Sequence, residues 1–184
     1  MIKTTEQLLA RAAAAKEMLD VKFTGSDGKT YIMLCGGGGC TASGANALEE
    51  KLHRVIEEKG IGDQVVVRRV GCLGPCSQGP FLRIYPKDVL YRKVTPEDVE
   101  EIIDKDVLGG EIVERLLYTD PQTGRKISKQ EEIPFYKKQV KIALHGCGVI
   151  EPGSFDEALA VGAYQGLANA LSKSREEVIN DMLA

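Results

Sequence analysis

The sequence predicts an α/β fold followed by an extended and helical C-terminal arm. Three observations carry this expectation. Short apolar or β-branched runs flank one strongly amphipathic helical segment, as in a βαβ unit. Two further strand-like runs then follow each other across a turn at residues 86–88, as in a hairpin. A capped, acidic-fronted helix closes the unit, and beyond Gly109 the pattern becomes polar and turn-rich.

Taken in order, "TTEQLLARAAAAKEML" begins with a Thr-x-x-Gln capping box at Thr4 and Gln7 and predicts a helix to about Leu19. "GSDG" is a turn and "KTYIML" a short strand. Residues 41–59 place Ala45, Leu48, Leu52, Val55 and Ile56 on one helical face, and Gly60 ends that helix. "QVVVRRV" reads as a β-branched strand, and "FLRIYP" and "VLYRKV" as two more. "TPEDVEEIIDKDVL" starts a helix with Thr95 as N-cap, Pro96 in the first turn and acidic residues at the positive helix end. A βαβ unit followed by a hairpin and a helix is the thioredoxin-like arrangement. It is expected over residues 21–108, behind an N-terminal helix at residues 1–20.

Residues 109–184 form the expected arm. "YTDPQTGRKISKQEEIPFYKK" predicts an extended stretch, "SFDEALAVGAYQGLANAL" a helical one, and "SREEVINDML" a helix capped by Ser174 with Glu177. Leu116, Leu117, Phe135, Tyr136 and Ile142 are apolar residues with no evident place in a thioredoxin-like core. They are expected to form a partly orphaned interface.

The 184 residues are 43% hydrophobic and 28% charged, with no Trp and a net charge of −3. That balance suits one globular core plus an appendage and gives no basic face for nucleic acid. The "KKQVK" cluster reads as a solvated face. The N-terminal segment is amphipathic and interrupted by Arg11 and Lys16, unlike a secretory signal, and no run approaches a membrane span. The expected location is therefore cytoplasmic, where five cysteines point to ligands or catalysis rather than disulfides.

"MLCGGGGCTASG" raises three possibilities. A dinucleotide fingerprint fails at its third glycine, where Thr41 stands, and the following strand ends in Arg68 and Arg69 instead of an acid. A phosphate loop fails because Gly44 is followed by Ala45 and Asn46. The third reading joins Cys35 and Cys40, spaced C-x4-C, with Cys72 and Cys76, spaced C-x3-C. Each pair follows a predicted strand at the same sheet edge, so four thiolates can converge. Gly36, Gly37, Gly38 and Gly39 let the backbone wrap closely and aim N–H groups at sulfur, with Gly71, Gly74 and Pro75 shaping the second loop. Cys40 is expected at a helix N-terminus, which lowers a thiol's pKa. The spacing favours a [2Fe-2S] cluster; the alternative is structural zinc in a four-cysteine interaction module without a redox role. No C-x-x-C is present for thiol–disulfide exchange.

With "GCLGPCSQGP", this pattern resembles the thioredoxin-like [2Fe-2S] ferredoxin family. Further along, "VTPEDVEEII", "ERLLYTDPQTGRK", "IPFYKKQVKIALHGCGVIEP" and "GAYQGLANAL" are similar to the N-terminal region of the flavoprotein subunit of NAD(P)-reducing and electron-bifurcating [FeFe]-hydrogenases. Those subunits are related to the NADH-binding flavoprotein subunit of complex I. The resemblance implies that Cys35, Cys40, Cys72 and Cys76 hold the cluster. It also implies that FMN and NAD(P) belong to a downstream domain, expected to begin where this chain stops. The implied partners are a flavin- and NAD(P)H-binding domain or subunit and other iron–sulfur subunits of a hydrogenase- or dehydrogenase-type complex. The isolated chain is not expected to be catalytic. Cys147 lies outside both pairs and reads as a packing residue near a turn, His145 as a weak metal signal, and His53 as surface. Arg68, Arg69 and Arg83 read as solvated strand ends.

Overall fold

The computed structural model describes residues 2–184 and divides into two compact units. One comprises the chain up to Asp20 together with Gly153–Ala184, the other Val21–Pro152. Helix α1 (Thr5–Thr24) continues across the boundary at its C-terminal end. Thr4 Oγ1 accepts from Gln7 N at 3.2 Å, and the Gln7 side chain accepts from Lys3 N at 2.8 Å, so both halves of the predicted cap are used one residue apart. The helix outruns Leu19 and ends at Gly25, whose φ of 62° suits glycine.

In the larger unit, β1 (Thr30–Cys35) leads through a three-residue helical turn, α2 (Gly38–Cys40), and π-type turns at Thr41–Ala45 into α3 (Asn46–Glu58). The expected straight helix from residue 41 is therefore kinked, at Ser43 and at Gly44 with its φ of 97°. Its apolar stripe is as predicted: Ala45, Leu48, Leu52, Val55 and Ile56 are all buried. Each fully buried leucine contributes roughly 2 kcal/mol.

Strands β2 (Val65–Val70), β3 (Leu82–Tyr85) and β4 (Val89–Tyr91) complete a sheet of order β2-β1-β3-β4. β1 runs parallel to β2 and antiparallel to β3, and β3 is antiparallel to β4, the βαβ-plus-hairpin topology read from the sequence. Ile32, Leu34, Leu82 and Ile84 join the stripe of α3 in the main core, while Tyr31, Met33, Val70 and Tyr85 form a smaller cluster with Phe23.

Thr95 and Asp98 form a reciprocal cap ahead of α4 (Val99–Glu101), which widens into π-type turns over Ile102–Leu108. Asp106, inside those turns, is wholly buried. Its carboxylate accepts from Tyr91 Oη and Lys87 Nζ, each at 2.6 Å.

The segment after Gly109 lies in the same unit up to Pro152. Strands β5 (Tyr118–Thr119) and β6 (Lys126–Ile127) form a small hairpin, and α5 (Pro134–Lys137) follows. Leu90 N donates to Ser128 O at 2.8 Å and Arg92 N to Leu116 O at 2.9 Å, so this segment satisfies the open edge of β4. Leu116, Leu117 and Tyr136 are buried in the main core, contrary to the expectation of an orphaned interface, because they follow these backbone bonds onto the sheet edge. Phe135 and Ile142 do remain exposed.

In the smaller unit, α6 (Phe155–Ala160), α7 (Gln165–Leu171) and α8 (Arg175–Leu183) follow one another. Gly162 and Tyr164, both with positive φ, break the single helical stretch expected there, and the Ser174–Glu177 capping box forms as predicted. Arg11 pairs with Asp156 at 2.5 Å and lies 5.2 Å over the Phe155 ring. Among the described residues, no helix is long and apolar enough to cross a membrane.

Candidate metal centre

Parallel pairing sets the site. Cys35, the last residue of β1, stands opposite Val70, the last residue of β2, so both strands deliver their loops to one edge. Gly36 N extends the ladder to Val70 O at 2.8 Å. The first loop then turns through α2 to a buried Cys40; the second carries the half-buried Cys72 and the exposed Cys76. Two thiols thus lie inside and two towards solvent.

The glycines between them leave no room for a side chain. A Cβ on Gly37 would stand 3.0 Å from Cys72 Sγ, and one on Gly39 2.9 Å from Cys76 Cβ. A Cβ on Gly79 would come within 2.5 Å of Cys40 Sγ. Gly38, by contrast, faces open space. Gly37 and Gly39 therefore serve close approach between the two cysteine loops.

The N–H donors to sulfur come from elsewhere than that run. Leu73 N donates to Cys35 Sγ at 3.5 Å, and the N–H groups of Phe81 and Gly74 serve Cys40 and Cys72. Cys40 is also in hydrogen-bonding contact with Cys35, and Cys72 with Cys76. Burial, then the Cys35 contact, pushes the Cys40 thiol up to about 12. The lowering expected from a helix N-terminus is outweighed: the regular helix begins only at Asn46, past the kink, and desolvation disfavours the thiolate. Burial likewise raises Cys72.

Among the described residues, no three His, Cys, Asp or Glu side chains form a group that could hold a metal ion. The thiols stand instead as two pairs, Cys35 with Cys40 and Cys72 with Cys76. Two thiol pairs on loops stripped of side chains are a donor set for soft metal centres, and a binuclear cluster takes its ligands two per iron. The residues present fit that group.

Other residues singled out from the sequence fall outside the four. His53 and His145 are exposed. Cys147 packs on the second loop, its Sγ 3.6 Å from where a Cβ on Gly71 would stand. Arg68 is exposed, and Arg69 pairs with Glu49 at 3.1 Å. Arg83 departs from its reading as a solvated strand end: it is buried, binding Asp88 at 2.6 Å and both Gln130 and Glu131 at 2.7 Å. Its partners come from the arm and the hairpin turn, which strand periodicity does not reveal. Gly79 and the Phe81 N–H carry no distinguishing spacing either.

A mixed sheet presents two thiol pairs at one edge, a donor arrangement suited to soft metal centres. The family profile of thioredoxin-like [2Fe-2S] ferredoxins matches residues 21–106. A 2Fe-2S ferredoxin of Clostridium pasteurianum is 37% identical over 79 residues, covering 43% of this chain and 78% of that protein. A 2Fe-2S ferredoxin of Aquifex aeolicus is 35% identical over 81 residues, covering 44% of this chain and 73% of that protein. The crystal structure of the wild-type thioredoxin-like [2Fe-2S] ferredoxin from Aquifex aeolicus covers 50% of this chain and 98% of its own, with 30% identity and a TM-score of 0.46. Over 44 residues, 24% of this chain, it is 43% identical to 9% of the NADP-reducing hydrogenase subunit HndC of Solidesulfovibrio fructosivorans.

The chain belongs to the thioredoxin-like [2Fe-2S] ferredoxin family. It has that fold, with additional helices beyond the domain, and is a ferredoxin-like electron-transfer domain whose family implies a [2Fe-2S] cluster.

Proposed function

We propose that Cys35, Cys40, Cys72 and Cys76 are the four thiolate ligands of the cluster. On this reading, the domain passes single electrons between a flavin- and NAD(P)H-binding partner and other iron–sulfur subunits of a hydrogenase- or dehydrogenase-type complex. The observation that carries the ligand set is the cradle in which Gly37, Gly39 and Gly79 lie against Cys72, Cys76 and Cys40 with no room for a side chain. The partial match to a hydrogenase subunit supports the choice of complex. When bound, the cluster supplies one-electron redox chemistry. The chain's own share is to hold four sulfurs, to direct the Leu73, Phe81 and Gly74 N–H groups at them, and to bury Cys35 and Cys40 while Cys76 stays open towards a partner.

Hydride carries two electrons and the cluster accepts one, so reduction by NAD(P)H requires a flavin, which this reading assigns to the partner. The test is an anaerobic titration of the loaded chain with NADH, following visible absorbance. NADH alone should leave the spectrum unchanged, and adding a flavin-bearing partner should bleach it. Bleaching by NADH alone contradicts the assignment. Serine at any one of the four cysteines should destabilise or abolish the cluster, while Cys147→Ser should retain it.

A further inference from the structure

Tyr136 lies in the short helix α5, outside the stretch that matches the ferredoxin family. Its side chain turns inward, leaving the residue 8% exposed, while its neighbour Phe135 is 47% exposed. Among the described residues, Tyr136 Oη is the buried side-chain polar atom without a hydrogen-bond partner. An unpaired buried hydroxyl costs about 1–3 kcal/mol, so this placement calls for an acceptor. The second cysteine loop stands nearby. The Tyr136 ring edge, at Cε1, lies 3.9 Å from where a Cβ on Gly74 would stand, in the loop between Cys72 and Cys76. Cys35, Cys72 and Cys40 are all close enough to act on the phenol electrostatically.

We propose that the Tyr136 hydroxyl donates a hydrogen bond to a sulfur of the bound cluster, a thiolate or a sulfide, and thereby raises its reduction potential. The proposal rests on the ligand reading above. Reduction adds negative charge, which a donor to sulfur stabilises, so the reduced state gains more from the bond than the oxidised state. Tyr136 thus tunes the centre without ligating it.

The full-length chain and Tyr136→Phe are compared after anaerobic loading, by dithionite titration with mediators, visible absorbance and EPR. Phenylalanine keeps the ring and removes only the donor. Iron and sulfide content should match between the two proteins, and the equilibrium constant for one-electron reduction should fall about tenfold, a potential about 59 mV lower. Equal potentials in two fully loaded proteins overturn the proposal, because a purely structural tyrosine would leave the potential unmoved. Should the variant fail to fold or load, the crystal structure of the loaded wild-type chain decides. Oη within hydrogen-bond reach of sulfur supports the proposal, and Oη bonded to water or a carbonyl overturns it. A wild-type chain that takes up neither iron nor sulfide defeats the ligand reading itself, before any variant is compared.

Discussion

At the scale of single residues, the site depends on atoms that are absent as much as on the cysteines. Gly79 has φ −78° and ψ 173°, a backbone any residue adopts, so its requirement for glycine comes only from Cys40 Sγ at 2.5 Å from the position of a Cβ. Gly79→Ala should therefore sharply lower the iron and sulfide bound per chain, while Gly38→Ala, facing open space, should leave loading unchanged. Equal metal content in the two variants contradicts this account. Asp106 is the second sensitive residue, because both Tyr91 and Lys87 depend on its buried carboxylate. Asp106→Ala should cost about 3 kcal/mol in urea unfolding. The convergence of the two cysteine pairs was legible because each pair follows one of two parallel strands. Gly79 and Arg83 were not, because their neighbours are remote in the chain. Nothing in "QGP" marks the approach of Gly79 to sulfur.

At the scale of elements, apolar and β-branched runs marked the strands of the βαβ unit and hairpin, and a helical stripe marked the buried face of α3, since a helix covering a core must show its period. The start of α3 was misread because propensity does not sense the kink at Ser43 and Gly44, and the dipole argument for Cys40 failed with it. Residues 110–136 were illegible as core because isolated backbone bonds to β4, not a strand pattern, hold them there. The cap ahead of α4 was legible and is testable by pH. Burial opposes ionisation of Asp98, but the Thr95 N–H and the Arg115 guanidinium outweigh it and hold the carboxyl below its ordinary range. A depressed folded-state pKa contributes stability above the unfolded value and loses it as pH falls through the folded one. Asp98→Asn should therefore be less stable than wild type near neutrality, by about 1 kcal/mol, with the gap closing in acid. A gap that widens on acidification contradicts this sign.

At the scale of the whole molecule, the family fold occupies one stretch and the residues after it are partly recruited to its core. Hydrogen exchange should divide the arm accordingly. The amides of the buried residues Leu117 and Tyr136, bonded to Glu114 and Ile133, should exchange slowly. The amides around Val140, Ile142 and Leu144, whose side chains are exposed, should exchange fast. Uniform protection across residues 110–152 would contradict that division. On the proposed ligand set, two thiol pairs at one sheet edge hold a binuclear one-electron centre. Its most direct test is metal and sulfide analysis of the anaerobically purified chain, with EPR spin counting after dithionite reduction. The account predicts about two iron and two sulfide per chain and about one reduced spin. Stoichiometric zinc, with no sulfide and no signal, would contradict it.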